Sequence, residues 1–147
     1  MLQIIPHLSA GGAERTTVEV VEALVAANAR ALVVSAGGRL EGELAKAGGE
    51  LIRFDSAPTK NPIQLVANSR AIANIIRDRK VDLVHARSRA PAWSAMWAAH
   101  RMKKPFVTTY HGVYNAKTGL KRWYNSLMSR GDIVIANSGY TATLIQS

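Results

Sequence analysis

Three short segments of this chain carry residues able to do chemistry. Near the start, an apolar run from Leu2 to Ile5 gives way to Pro6, His7, Leu8, Ser9, Ala10, Gly11, Gly12, Ala13, Glu14 and Arg15. A strand that ends in paired glycines and opens straight into a helix leaves unpaired helix N–H groups beside the positive end of the helix dipole, an arrangement suited to an anion. The same residues also suit a plain strand-to-helix turn capped by Ser9. The second segment, His85-Ala86-Arg87-Ser88-Arg89-Ala90-Pro91, offers two arginines that can grip a phosphate or carboxylate bidentately. The third, Thr108-Thr109-Tyr110-His111-Gly112, offers a histidine that can donate to or accept from a sugar hydroxyl, or take a proton. Taken alone, each arginine reads as a surface salt-bridge partner and His85, inside its strand, as a satisfied core histidine. His7 and His100 carry little information.

These residues need elements to bring them together. Short β-branched runs alternate with longer segments of helical period, the pattern of βα units on a parallel sheet. Strands are predicted at Leu2–Ile5, Ala31–Ser35, Glu50–Phe54, Asp82–His85, Phe106–Thr109 and Ile133–Ala136. The first helix runs from Gly12 to Ala27 with Val18, Val21, Leu24 and Val25 inward, and the second covers Leu40–Ala47. The third is capped by Asn61, has Pro62 at its first position, and puts Ile63, Val66, Ile72, Ile75 and Ile76 on one stripe. A fourth begins near Pro91 and carries Trp93, Met96 and Trp97; a fifth spans Leu120–Ser129; Ser138 caps a sixth. The fold class is therefore α/β, a Rossmann-like doubly wound parallel sheet. Ligands of such sheets gather outside the carboxyl ends of the strands where strand order reverses, here beside the first and fourth strands. All three segments lie at strand ends on that edge.

Composition narrows the function. A chain of 147 residues suits one domain, and without cysteine it has no disulfide, thiolate or Cys-type zinc chemistry. No apolar stretch approaches a membrane span of ~20 residues, so the expected location is cytoplasmic. A formal charge of +9 implies an acidic partner. The basic residues are dispersed and match no nucleic-acid-binding motif, so no nucleic-acid partner is expected. One concentration stands out: Lys117, Lys121, Arg122 and Arg130 interleave with Leu120, Trp123, Tyr124, Leu127 and Met128. That pattern fits a core-packed helix with a solvated face, and it also fits a helix resting on an anionic membrane surface.

Five pieces in order resemble the N-terminal domain of family 4 glycosyltransferases. They are Pro6 to Arg15 with its Gly-Gly-Ala-Glu-Arg core, Ser35-Ala36-Gly37-Gly38, Asp82-Leu83-Val84-His85, Thr109-Tyr110-His111-Gly112, and Asp132-Ile133-Val134-Ile135-Ala136-Asn137-Ser138. The resemblance implies a GT-B architecture of two Rossmann-like domains facing across a cleft, with this chain as the acceptor-side half. It implies a retaining, metal-independent hexosyl transfer from a nucleotide-sugar to an acceptor hydroxyl, with no cofactor, in cell-envelope polysaccharide or lipopolysaccharide synthesis. By resemblance Gly11 and Gly12 lie against the donor diphosphate, His111 is the catalytic-site histidine beside the transferred sugar, and Arg87, Ser88 and Ser138 line the acceptor side. The acceptor is then a sugar or lipid-linked glycan, and the basic, aromatic segment around Lys121 and Arg122 points to the inner face of the cytoplasmic membrane as the place where it is met. The family carries its main donor grip, a basic pair and a Glu-x7-Glu segment, in a second domain that these residues lack. The chain is accordingly expected to be a truncated fragment, inactive alone.

A different reading is a non-catalytic α/β module that uses the same edge to bind a phosphorylated ligand or a partner protein. Another nucleotide-using Rossmann-like enzyme is a further alternative, although the first loop lacks G-x-G-x-x-G and no Walker lysine follows its glycines.

Overall fold

Six parallel strands form one sheet of order β3-β2-β1-β4-β5-β6, seen in a computed structural model that describes residues 1–111 and 117–146. The elements are β1 (Leu2–Ile4), α1 (Gly12–Ala26), β2 (Leu32–Ser35), α2 (Glu41–Lys46), β3 (Glu50–Arg53), α3 (Pro62–Asp78), β4 (Val84–Ala86), α4 (Arg89–Arg101), β5 (Phe106–Tyr110), α5 (Gly119–Asn125), β6 (Ile133–Ala136) and α6 (Gly139–Gln146). A 3-10 turn, Ser126–Ser129, follows α5. Chain order reverses between β1 and β4, the point expected from the sequence, so the fold is the doubly wound α/β sheet.

Strands buried on both faces divide their side chains between two cores, because successive residues point to opposite faces. Leu2 and Ile4 of β1 join Val84, Ala86 and Phe106 in a core closed by α3, α4 and the 3-10 turn. Ile5 and Val33 face the other way and pack with Val18, Val21 and Leu44 of α1 and α2. Helix α3 starts as expected: Asn61 Oδ1 accepts from the backbone N–H of Ile63 at 2.9 Å, and Pro62 follows it.

Several expectations need correction. On α3 the buried stripe is Leu65, Asn68, Ser69, Ile72, Ala73 and Ile76. Ile63 is 82% exposed and Val66 is also exposed. At 100° per residue, Ile63 lies half a turn away from Ile72, and the polar Asn68 takes an inward place because Ser56 satisfies both ends of its amide. Val25 of α1 is likewise exposed. Strand β4 is Val84–Ala86 rather than Asp82–His85, since its ladder pairs Val84 with Phe106 and Ala86 with Thr108. Helix α4 begins at Arg89, not Pro91. Pro91 sits in its first turn, where the N–H that proline lacks would have no helical partner. The predicted fifth helix divides into α5, capped by Thr118 Oγ1, and the 3-10 turn.

Candidate active site

The alternation that divides the cores also assembles the polar site. Gln3 pairs in register with His85, and His85 with Val107, so Gln3, His85 and Thr109 share the face of the sheet that α1 covers, and Arg87 and His111 continue it beyond the strand ends. His85 is buried, and its Nε2 and Thr109 Oγ1 share a hydrogen bond of 2.7 Å. Arg87 is only 3% exposed. Its Nη1 donates to Gln3 Oε1 at 3.1 Å, while Gln3 Nε2 donates to the backbone carbonyl of Thr17 in α1, also at 3.1 Å. The expected core role of His85 therefore holds. The salt-bridge reading of Arg87 does not: among the described residues it has no carboxylate within ion-pair distance, because the strand turns it inward beneath α1 rather than out to solvent. Arg89 donates from Nη1 to Asn125 Oδ1 at 2.8 Å.

The paired glycines are not there for backbone freedom. Gly11 is the N-cap of α1 with φ −73° and ψ 169°, and the described glycines with positive φ are Gly37, Gly38 and Gly48. Ser9 is not the cap, because the chain enters the helix two residues later. A Cβ at Gly12 would meet nothing within 4 Å, and one at Gly11 would meet the mobile carboxylate end of Glu14. The fold itself thus leaves open space above the first turn of α1. The loop before it is fixed by the Ser35–Gly38 turn: Ala36 N–H donates to Pro6 O, Leu8 N–H to Gly37 O, and Leu40 N–H to Leu8 O. Gly38 lies against the Leu8 backbone, where a Cβ would approach Leu8 O to 2.5 Å.

Two cavities meet at Arg87 and His111. One, of about 460 Å³, lies between α1 and the ends of β4, β5 and β6, with Gly12, Thr16, His85, Thr109 and Asn137 also in its wall. The other, of about 300 Å³, is bounded by the Pro6–His7 segment, Glu14, Ser88 and Arg89. Gly12, Arg87, Ser88 and His111 are therefore brought together as expected. Gly11 and Ser138 line neither cavity; Gly11 sits at the cap, and Asn137 takes the place in the wall beside Ser138. Sequence reasoning missed Gln3, although a polar residue within an otherwise apolar, buried strand is a readable signal that something beside it needs a partner. Gly112 lies outside the described residues.

The electrostatics follow from burial. Desolvation, with smaller contributions from the Arg87 and His111 charges, pushes the His85 imidazole down to about 4. His111 is lowered by the same desolvation and by Arg87, partly offset by Glu14. Nε2 of His111 is buried with no hydrogen-bond partner among the described residues. The edge therefore presents a fixed cation, Arg87, beside an imidazole biased toward its neutral form, which can donate or accept.

The chain is a doubly wound α/β sheet with a polar cavity at its switch point, the place where sheets of this kind bind ligands, walled by the start of α1, an arginine and a histidine. The chain belongs to Glycosyltransferase Family 4, whose profile matches residues 10–147. Among solved structures it is similar to a glycosyltransferase from Rickettsia africae ESF-5, with 40% identity and a TM-score of 0.85 over 99% of this chain and 38% of that one. It also resembles Anabaena HepE, solved in complex with UDP and glucose, with 21% identity and a TM-score of 0.78 over 99% of this chain and 40% of that one. This second likeness bears on the fold. The chain thus spans about two fifths of the length of each of these proteins. Among curated proteins no sequence matches it.

Proposed function

We propose that this chain forms the acceptor-side half of a retaining glycosyltransferase. It moves a hexosyl group from a nucleotide-sugar to an acceptor hydroxyl in cell-envelope polysaccharide or lipopolysaccharide synthesis. The observation that carries the reading is one cavity shared by Gly12, with its unobstructed helix terminus, and His111, whose Nε2 has no partner among the described residues. In the reaction the bond from the anomeric carbon to the diphosphate oxygen breaks, the acceptor oxygen bonds to that carbon on the same face, and the acceptor's proton passes to the departing diphosphate oxygen. The departing diphosphate is stabilised by the N–H groups at the start of α1, as in oxyanion stabilisation generally. A neutral His111 orients the sugar hydroxyls without adding positive charge beside the developing oxocarbenium carbon. Arg87 and Ser88 face the acceptor, with Ser138 near the same edge. No metal or cofactor takes part in this reading.

The rest of the donor grip belongs to a second domain, so these 147 residues turn over little or no donor by themselves. The test is His111→Ala in the intact protein, with a panel of nucleotide-sugars. The expected loss is about 100-fold in kcat, the scale of one removed transition-state hydrogen bond, with nucleotide affinity nearly unchanged. Equal losses in both would remove His111 from this role.

A peripheral contact with an anionic membrane inner face is part of the same proposal. Trp123 is half-exposed and stacks on Trp93 with ring centroids 4.7 Å apart, and Leu120 beside it is 76% exposed. Lys121 and Arg122 flank them on α5, and Lys117 precedes it. Apolar and basic groups so mixed suit a lipid headgroup region, which supports a lipid-linked acceptor met there. Among the described residues, no helix is long and apolar enough to cross a membrane.

A further inference from the structure

We propose that Arg87, positioned by Gln3, anchors an anionic group of a substrate, a phosphate or a carboxylate, in the cavity between α1 and the ends of β4 and β5. The inference rests on reading this edge as a substrate site and adds to it the charge of what binds there. Arg87 is 97% removed from solvent, and among the described residues it has no ion pair and its buried Nε has no hydrogen-bond partner. Among the described residues its side chain makes one hydrogen bond, to Gln3. That amide is itself locked, because its nitrogen is committed to the Thr17 carbonyl and its oxygen must then face the guanidinium. A neutral amide aims the arginine without cancelling its charge. A glutamate at position 3 would have neutralised it.

A buried, unpaired guanidinium destabilises a fold. Such a group is understandable where a ligand supplies the counter-charge. Among the described residues, the wall of the larger cavity contains Arg87, His85, His111, Thr16, Thr109 and Asn137 and no carboxylate. Glu14 lies in the neighbouring cavity, and Glu19 acts on Arg87 only at longer range. Arginine's free N–H groups match a phosphate or carboxylate fork. The anion comes from one of two sources, the donor diphosphate or an acidic group on the acceptor.

The 147-residue chain can be titrated calorimetrically with inorganic pyrophosphate, with glucuronate, and with glucose as the uncharged control, at matched ionic strength. Thermal melts are recorded alongside. At least one anion should bind and raise the Tm while glucose does neither. Pyrophosphate alone identifies the donor as the source, glucuronate alone an acidic acceptor, and binding of both a site shared by the two. Arg87→Met should lose at least about 10-fold in that affinity while its ligand-free Tm stays level or rises by about 2–4 °C. Arg87→Lys, which keeps the charge and the fold but loses the planar fork, and Gln3→Leu, which frees the arginine, should each weaken binding by a smaller factor. Binding of neither anion, or wild-type affinity in Arg87→Met, overturns the proposal. So does unchanged affinity in both Arg87→Lys and Gln3→Leu, should Arg87→Met fail to fold. Anion binding without sugar transfer by the intact protein would defeat the transferase reading alone; transfer without anion binding here would defeat this inference alone.

Discussion

Replacing Gly12 by alanine separates what the fold requires from what a ligand requires. Gly12 is the first residue of α1, and a methyl group built there meets no atom within 4 Å. Its backbone is helical, so alanine is accepted without strain and, by helix propensity, should leave stability level or raise it by up to about 1 kcal/mol. With a diphosphate against the first turn, the same methyl would stand between the helix N–H groups and the phosphate oxygens. Loss of one charge-assisted hydrogen bond is worth about 1.5–3 kcal/mol, which corresponds to a roughly 10- to 150-fold weaker complex. The assay is nucleoside diphosphate binding by calorimetry, with urea denaturation of the same samples. Gly38→Ala is the counterpart. Its methyl would be forced to 2.5 Å from Leu8 O, so it should destabilise by about 1–3 kcal/mol and displace the loop ahead of α1. Undiminished diphosphate affinity in a well-folded Gly12→Ala would refute the reasoning, since the open space above the helix would then have no ligand in it.

Two further outcomes are expected. His85 titrates at about 4 in the folded chain against 6.5 for a free imidazole. The unfolded chain therefore takes up a proton that the folded one refuses, and stability contributed above pH 6.5 is lost as pH falls toward 4. The full difference is roughly 3 kcal/mol. His111 is shifted in the same direction. Urea unfolding of wild type and His85→Gln between pH 7.5 and pH 4 should show the wild type losing more stability, and parallel curves would contradict the assignment. On the membrane side, Lys121→Glu with Arg122→Glu should abolish sedimentation with vesicles of phosphatidylglycerol and phosphatidylethanolamine, and Trp123→Ala should weaken it about 10-fold. Binding that survives both changes would remove α5 from a membrane role.

Much of the architecture was legible because its signals are local. The Asn61-Pro62 start of α3 needs only an acceptor side chain and a residue without an N–H, and β-branched runs between helical periods need only composition. The switch point followed from parallel crossovers alone. What failed to read was orientation. Ile63 and Val66 look like part of an apolar stripe, yet the turn of the helix and the Ser56–Asn68 pair decide which face is buried. The arginines look like surface residues, yet Arg87 is buried while its neighbour Arg89 reaches toward Asn125, because one lies on the α1 face and the other has already entered α4.

The sequence by itself determined the α/β alternation, the family resemblance now confirmed by the profile match, and the edge of the sheet where chemistry collects. Only the tertiary structure decided which side chains meet there. A strand has a period of two, so a register slip of one residue in β4 would send His85 and Arg87 to the opposite core and leave Gln3 with nothing to hold. Cross-strand pairing of Gln3 with His85, and of Thr108 with Ala86, fixes that register. No local stretch of sequence encodes those pairings, because they join residues more than 20 positions apart and exist only once the sheet has formed.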